Sequence, residues 1–299
     1  MKTGRENRRM LLLTLDSTHA NRYNERHMDF KTEGGFGVSN HQEWMERMIA
    51  ACERIGAQMK SRLATTVSDK EGHANFVTDM DVWVQAQLVE AMRAIIPGAG
   101  IIAEEAEENG AAGEGYCFVI DPIDGTQNFL CRMGHSAISV GLLQSGEILG
   151  GVVHDPFKGE TFSAVRGGGA YLNGQRLHVS TRDVRHSLVH FGTSPYHPAL
   201  CARTFSIAHA VMGTFADVRR SGSAALDLCY VACGRCDAYF ELILQPWDFA
   251  AGTIIVREAG GLVETIGGEA LAFDRPAGIL AAAPHALAPL RALIGEGKP

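Results

Sequence analysis

Tyr116-Cys117-Phe118-Val119-Ile120, followed at once by Asp121-Pro122-Ile123-Asp124-Gly125-Thr126, is the stretch on which the reading of the fold turns. The unbroken apolar run reads as a strand, and two carboxylates leave its end together. Pro122 fixes the backbone between the acids and Gly125 permits a sharp turn, so both side chains can converge on one point. A hard divalent cation suits such a point. Mg2+ takes oxygen ligands in near-octahedral geometry, and the carbonyl of Ile123 adds an uncharged oxygen between the acids. Thr126 is placed to orient a water. Taken alone the hexapeptide also fits a plain turn, because Asp-Pro and Asp-Gly are common turn dipeptides.

Other segments bear on that choice. The short apolar run 100–103 delivers Glu104 and Glu105 at a second strand end, although a bare acidic pair also fits a solvated turn or a helix start. Trp247 and Asp248 open a helix in which Ala250, Ala251 and Gly252 permit close approach of a neighbouring backbone. Asp248 reads as a metal ligand or as a helix cap, and Trp247 as a brace for the approach. In residues 70–81, Asp79 or Asp81 either caps the next helix or ties a metal-binding loop in place. Lys70 is either a surface lysine or a cation tempering an acidic pocket.

Working outward, Trp44, Met48, Cys52, Ile55 and Met59 recur at helical spacing and predict a helix over 41–62. Val84, Leu88, Met92 and Ile95 predict a second, stopped by Pro97 and Gly98. Apolar runs at 137–143, 148–153 and 160–165 add strands to a multistranded sheet. Beyond about residue 180 strands and helices alternate: a strand at 187–191, a helix at 199–212, then strand, helix, strand and helix through Gly260. The expected division is a disordered extension over 1–40, an N-terminal α+β half over 41–180 carrying most metal ligands, and a C-terminal α/β half over 181–299 contributing Asp248 and substrate contacts. Such alternation implies a layered α+β architecture with the site between unlike halves.

Composition narrows the function classes. A formal net charge of -7 gives no electrostatic reason to expect nucleic acid, and it makes bound cations a requirement for handling phosphate. No apolar run reaches the length of a membrane span. The seven scattered cysteines fit a reducing cytoplasm better than a disulfide scaffold. Cys229, Cys233 and Cys236 have the spacing of an iron–sulfur site, yet they fall on a predicted helix where cysteines serve as small core residues.

Taken in order, residues 70–81, Glu104 and Glu105, 121–129, 221–228 and 247–252 resemble the inositol monophosphatase family over roughly 44–294. The resemblance implies a layered αβαβα sandwich and a phosphoric monoester hydrolase, magnesium-dependent and lithium-sensitive, with two to three Mg2+ ions per site. Glu104, Asp121 and the Ile123 carbonyl match the ligands of one ion, and Asp121, Asp124 and Asp248 those of another. Glu104 and Thr126 match the groups that activate water for in-line attack, without a covalent phosphoenzyme. Gly125 and Thr126 fall at the phosphate; Gly222, Ser223, Ala224 and Glu241 fall around the organic part of the substrate; Lys70, Asp81, Glu105 and Trp247 support the ligands. Asn75 and Phe76 stand where the family has Asp and Leu, and Gln127 replaces a Thr. The ending Thr126-Gln127-Asn128-Phe129 favours inositol monophosphate as substrate, with histidinol phosphate, a nucleotide bisphosphate or fructose bisphosphate as alternatives. A regulatory protein-binding role in transcription or ribosome biogenesis is the alternative from another class. The resemblance also implies a cytoplasmic homodimer with a small phosphorylated substrate, away from membranes and nucleic acid.

Overall fold

The stripe of Met48, Cys52, Ile55 and Met59 becomes one buried face of helix α1 (Val38–Ser61). The computed structural model describes residues 38–62, 66–70, 76–106 and 114–296. Helix α1 begins at Val38, inside the stretch expected to be an extension; residues 1–37, the rest of that expectation, lie outside the described residues. A short antiparallel hairpin, β1 (Val67–Asp69) and β2 (Phe76–Thr78), leads into α2 (Asp79–Ile95). Thr78, not an aspartate, caps α2. Its Oγ1 accepts from the N–H groups of Met80 at 3.1 Å and Asp81 at 3.3 Å, and the Asp81 carboxylate accepts from the Thr78 N–H at 2.7 Å.

A seven-stranded sheet follows in the spatial order of the chain: β3 (Gly100–Ala103), β4 (Tyr116–Asp124), β5 (Ala137–Gln144), β6 (Glu147–Asp155), β7 (Glu160–Val165), β8 (Gly169–Leu172) and β9 (Gln175–Arg176). The short helix α3 (Thr126–Leu130) joins β4 to β5, and only the β3–β4 pair is parallel. The rest of the chain alternates β10 (Leu188–Phe191), α4 (Cys201–Val211), β11 (Asp217–Arg219), α5 (Ala224–Ala232), β12 (Ala238–Leu244), α6 (Pro246–Glu258), β13 (Leu262–Thr265), β14 (Ala277–Ala282) and α7 (Pro284–Glu296). Its strands form a mixed five-stranded sheet in the order β11-β10-β12-β14-β13.

Strand β4 shows why the layers stack. Its side chains alternate, Phe118 and Ile120 joining the core with α1 and α2, Cys117 and Val119 joining the core with α5 and α6. Burial on both faces explains the unbroken apolar run in the sequence. Helices α4 and α7 cover the far face of the second sheet through Ile207, Val211, Leu287 and Leu290. The order is therefore helices, sheet, helices, sheet, helices, a layered αβαβα fold. Each large side chain buried this way contributes roughly 1.5–3 kcal/mol. Among the described residues no helix is long and apolar enough to cross a membrane.

The central layer is tight where α6 crosses β6. A Cβ at Gly151 would lie 2.8 Å from the Cα and 2.9 Å from the carbonyl oxygen of Ala251, so the small residues read from the sequence are the contact itself. Gly151→Ala is expected to destabilise the protein by about 1–3 kcal/mol. Gly213→Ala, whose Cβ meets only the Ala210 carbonyl at 3.4 Å, serves as control. Urea unfolding checks this: equal midpoints for the two variants would refute the tight contact.

Candidate active site

Strand β4 ends in a bulge that decides where its acids point. Asp121 pairs with Ser139 and Asp124 with Ala137, so three steps along β4 match two along β5. In a regular strand residues three apart face opposite sides; the inserted residue returns Asp121 and Asp124 to one side. Pro122, which has no N–H to place in a ladder, sits where a bulge tolerates it. Asp121 Oδ1 accepts from the Ile123 N–H at 3.0 Å, which fixes the turn.

Asp124 meets the start of α5. The Ser223 hydroxyl donates to Asp124 Oδ2, as does the Ala225 N–H at 2.8 Å, and the Ala224 N–H reaches Oδ1 at 3.3 Å. A carboxylate there is favoured by the unpaired N–H groups and dipole of the helix end. Asp248 arrives from α6. It is not the helix cap: Gln245 holds that place, and Asp248, three residues on, accepts from the Gln245 N–H at 2.8 Å. Asp121, Asp124 and Asp248 thus come from β4 and α6 to one point, each offering a carboxylate oxygen within 4.8 Å of the others.

Such crowding is costly without a cation. Burial, reinforced by the charges of Glu104, Asp124 and Asp248, holds the Asp121 carboxyl well above the usual carboxylate range. Asp248 is raised likewise, by burial and then by Asp124 and Glu104. Burial pushes Asp124 up to about 7 even against its bonds from Ser223 and Ala225. An all-oxygen donor set whose charges repel one another fits a hard divalent ion such as Mg2+.

Glu104 stands beside this group without joining the three. The pairing of β3 with β4 brings it there, its N–H donating to the Ile120 carbonyl at 3.2 Å, but its carboxylate is engaged by Lys70 Nζ at 3.1 Å. Lys70 also donates to Glu105, whose N–H is held by Gln85 Oε1 at 2.8 Å. Against the cost of its own burial, Lys70 is held above its ordinary pKa by the two glutamates. Thr126 Oγ1 lies 3.2 Å from the Ile123 carbonyl and 3.3 Å from Asp81 Oδ1, which ties Asp81 to the turn that follows β4.

The residues expected around a substrate are also near neighbours. Gly125 has φ of 86°, and a Cβ there would stand 3.0 Å from the Gly222 carbonyl oxygen. Asn128 bridges the same two loops, donating to the carbonyls of His135 at 2.9 Å and Ser221 at 3.0 Å. The Trp247 carbonyl accepts from Ser139 Oγ at 3.3 Å while its indole packs on the central core. Glu241 differs from expectation in being buried with both carboxylate oxygens already bonded, to Ser194 and to the Tyr239 hydroxyl. Cys229 and Cys236 are buried and Cys233 half-buried; among the described residues the only group with metal-ligand spacing is the aspartate trio.

Sequence reading allowed His190 an approach to the site and residues 194–209 a share in specificity, without naming Asp227, 2.6 Å from His190, or Tyr196. Burial raises the Tyr196 hydroxyl's pKa, and the charges of Glu104, Asp248, Asp121 and Asp124 raise it further, which places it in the field of the cluster. A Pro-containing turn at Thr193-Ser194-Pro195-Tyr196, following a strand, was the available signal.

A family model described as the inositol monophosphatase family matches residues 40–295. The Escherichia coli protein named Nus factor SuhB is 43% identical over 203 residues, covering 67% of this chain and 76% of that protein. The crystal structure of the extragenic suppressor protein suhB from Bartonella henselae superposes with a TM-score of 0.79 at 32% identity, over 86% of this chain and 100% of that one. An IMPase structure from Thermotoga maritima gives 0.78 at 30% identity, over 85% and 98%.

Proposed function

This chain belongs to the inositol monophosphatase family, and we propose that it hydrolyses a small phosphate monoester, with inositol monophosphate the leading substrate. The observation that carries the reading is the convergence of Asp121, Asp124 and Asp248 on one point. In this reading two to three Mg2+ ions are held by Glu104, Asp121, the Ile123 carbonyl, Asp124 and Asp248. Bound there, divalent cations lower the pKa of water and neutralise charge on phosphate oxygens and leaving group.

The chain's own groups do the rest. Glu104 and Thr126 orient the attacking water and Glu104 takes its proton, and Lys70 keeps the Glu104 carboxylate in place for that work. Gly125 and Thr126 receive the phosphate, and Gly222, Ser223 and Ala224 wall the organic part beside them. Asp81, Glu105 and Trp247 hold the ligand-bearing loops. The expected homodimeric state and cytoplasmic location belong to the same reading.

Phosphate release from inositol monophosphate, histidinol phosphate, a nucleotide bisphosphate and fructose bisphosphate tests it, with and without Mg2+ and with added Li+. Magnesium-dependent, lithium-inhibited release, fastest for inositol monophosphate, is expected. Faster release from another member of the panel would reassign the substrate. Relatives named Nus factor SuhB favour a second reading, a regulatory binding role carried with or without catalysis. Under it the net charge no longer argues against a nucleic-acid-containing assembly, and silence across the whole panel would favour it.

A further inference from the structure

A net charge of -7 conceals a local excess of the opposite sign. Where the carboxyl ends of α1 and α3 meet lies a cavity of about 140 Å³, lined by the cations Lys60, Arg62 and Arg132 and by the apolar residues Phe129, Leu130 and Phe157. The three cations are exposed, Leu130 and Phe157 are half-buried and Phe129 is buried, with the Phe129 and Phe157 rings 6.5 Å apart. A cavity of roughly this size accommodates a single benzene ring, so this one admits a small molecule or the end group of a larger one.

Each cation has a local explanation, and together they exceed it. Lys60 and Arg62 stand at the end of α1, and Arg132 two residues after α3, where a helix dipole favours positive charge. Each helix end carries roughly half a negative charge, so the two ends balance about one of the three cations. No carboxylate supplies the rest: among the described residues, Lys60, Arg62 and Arg132 form no ion pair. Asp155, in the turn after β6, is consumed within that turn. Its Oδ1 accepts from the N–H groups of Phe157 at 2.9 Å and Lys158 at 3.1 Å, and its Oδ2 from Lys158 Nζ at 2.7 Å.

Two of the cations are also held in place. Lys60 Nζ donates to the Phe157 carbonyl at 3.2 Å, and the Arg62 guanidinium lies 4.3 Å from the centre of the Trp83 ring. Arg132 has φ of 56°, a left-handed conformation that glycine adopts at less cost. Glycine would serve the turn better; the arginine adds a charge to the cavity. Thr126 opens α3 and Leu130 closes it, so the cavity and the turn that follows β4 lie at opposite ends of this helix.

We propose that this cavity is an anion-binding site, separate from the aspartate cluster, which takes a phosphate group carried on a compact apolar body. The phosphate meets Lys60, Arg62 and Arg132, and the body meets Phe129, Leu130 and Phe157. Arginines suit the phosphate because their planar donors match its oxygens. Neither metal ions nor the phosphatase reading enters into this binding.

The test is calorimetric titration of the metal-free protein, in which the aspartates repel phosphate instead of collecting it. The probes are phenyl phosphate, inorganic phosphate and benzyl alcohol. Phenyl phosphate is expected to bind roughly fivefold more tightly than inorganic phosphate, to weaken as salt is raised, and to exceed benzyl alcohol by a wide margin. Arg62→Gln and Arg132→Gln should each weaken it by roughly fivefold. Arg132→Gly removes the same charge while easing the backbone, so a loss common to both Arg132 variants is not a folding defect. Arg54→Gln, at an exposed arginine of α1 outside the cavity, should leave affinity unchanged. Absence of phenyl phosphate binding overturns the site, as does binding that none of the Arg62 and Arg132 variants weakens. Equal affinity for inorganic phosphate overturns the role of the apolar residues. A single-stranded oligonucleotide with a 5′-hydroxyl that binds more tightly than phenyl phosphate, and is lost in the same variants, overturns the compact ligand in favour of nucleic acid.

Discussion

Asp121→Asn is expected to lower magnesium-dependent phosphate release by roughly a thousandfold or more, and at the same time to raise the melting temperature of the magnesium-free protein near neutral pH. The two halves of this result share one cause. Asp121 sits where β4 bulges, buried beside Asp124 and Asp248, and its carboxyl is held well above the usual range by burial and by those charges with that of Glu104. Forcing it to ionise without a cation costs stability; an amide of the same shape does not ionise. With Mg2+ the balance reverses, since an amide oxygen would hold a hard cation less well than the Asp121 carboxylate. Wild type should therefore gain melting temperature on adding Mg2+, and the variant should gain little. Retained turnover with normal metal dependence would refute the site, and an unchanged magnesium-free melting temperature at about pH 8 would refute the electrostatic account.

The magnesium-free wild type is expected to lose stability steadily from about pH 5 toward pH 8. Asp124 is pushed up from 3.8 to about 7, and Asp121 and Asp248 are likewise raised well above 3.8. Between the unfolded and folded pKa values the native state binds more protons than the unfolded chain, so stability falls as pH rises. Their contribution is complete below the unfolded pKa and is lost as pH passes the folded values, through about 7 for Asp124. A tenfold change in a protonation constant is worth ~1.4 kcal/mol, so Asp124 alone represents a loss of a few kcal/mol. Saturating Mg2+ restores stability, by ~2.7 kcal/mol at a hundred times its Kd, and more effectively at higher pH because the ligands must shed their protons. Thermal melts in a chelator across this pH range check the trend. A flat profile would show that the acids are not crowded as described.

The sequence made some of this legible and concealed the rest for physical reasons. Strand β4 was readable because both of its faces are buried, which leaves no polar alternation, and α1 because one stripe meets the sheet. Asp121, Asp124 and Asp248 could be named because acids at a strand end and a helix start have few other uses in such company. The convergence of Asp121 and Asp124 was expected from Pro122 and Gly125, but the device that achieves it, a bulge seen only in the pairing with β5, could not be read. Strands β8 and β9 escaped notice because they are short and lie at a sheet edge, where exposed Gln175 and Arg176 carry no apolar signal. The start of α6 was read one residue late, at Trp247, because Gln245 is an unusual cap and Asp248, weighed as a cap as well as a metal ligand, lies two positions after Pro246. Long-range pairs were invisible altogether. Lys70 meets Glu104 across 34 residues and Ser194 meets Glu241 across 47, distances over which no local pattern extends.

The two sheets divide the labour in a way that bears on how such an enzyme diversifies. The aspartates hang from β4 and from α6, whereas the loop over 192–197 follows β10 of the other sheet. Under the proposed phosphatase reading, the acids that would hold the ions and this outer loop are separately mutable parts. Substitutions, insertions or a changed turn in the outer loop can shift what is recognised while the ion-holding apparatus is inherited unaltered. A lineage can in this way explore new metabolites without ever passing through a catalytically dead intermediate.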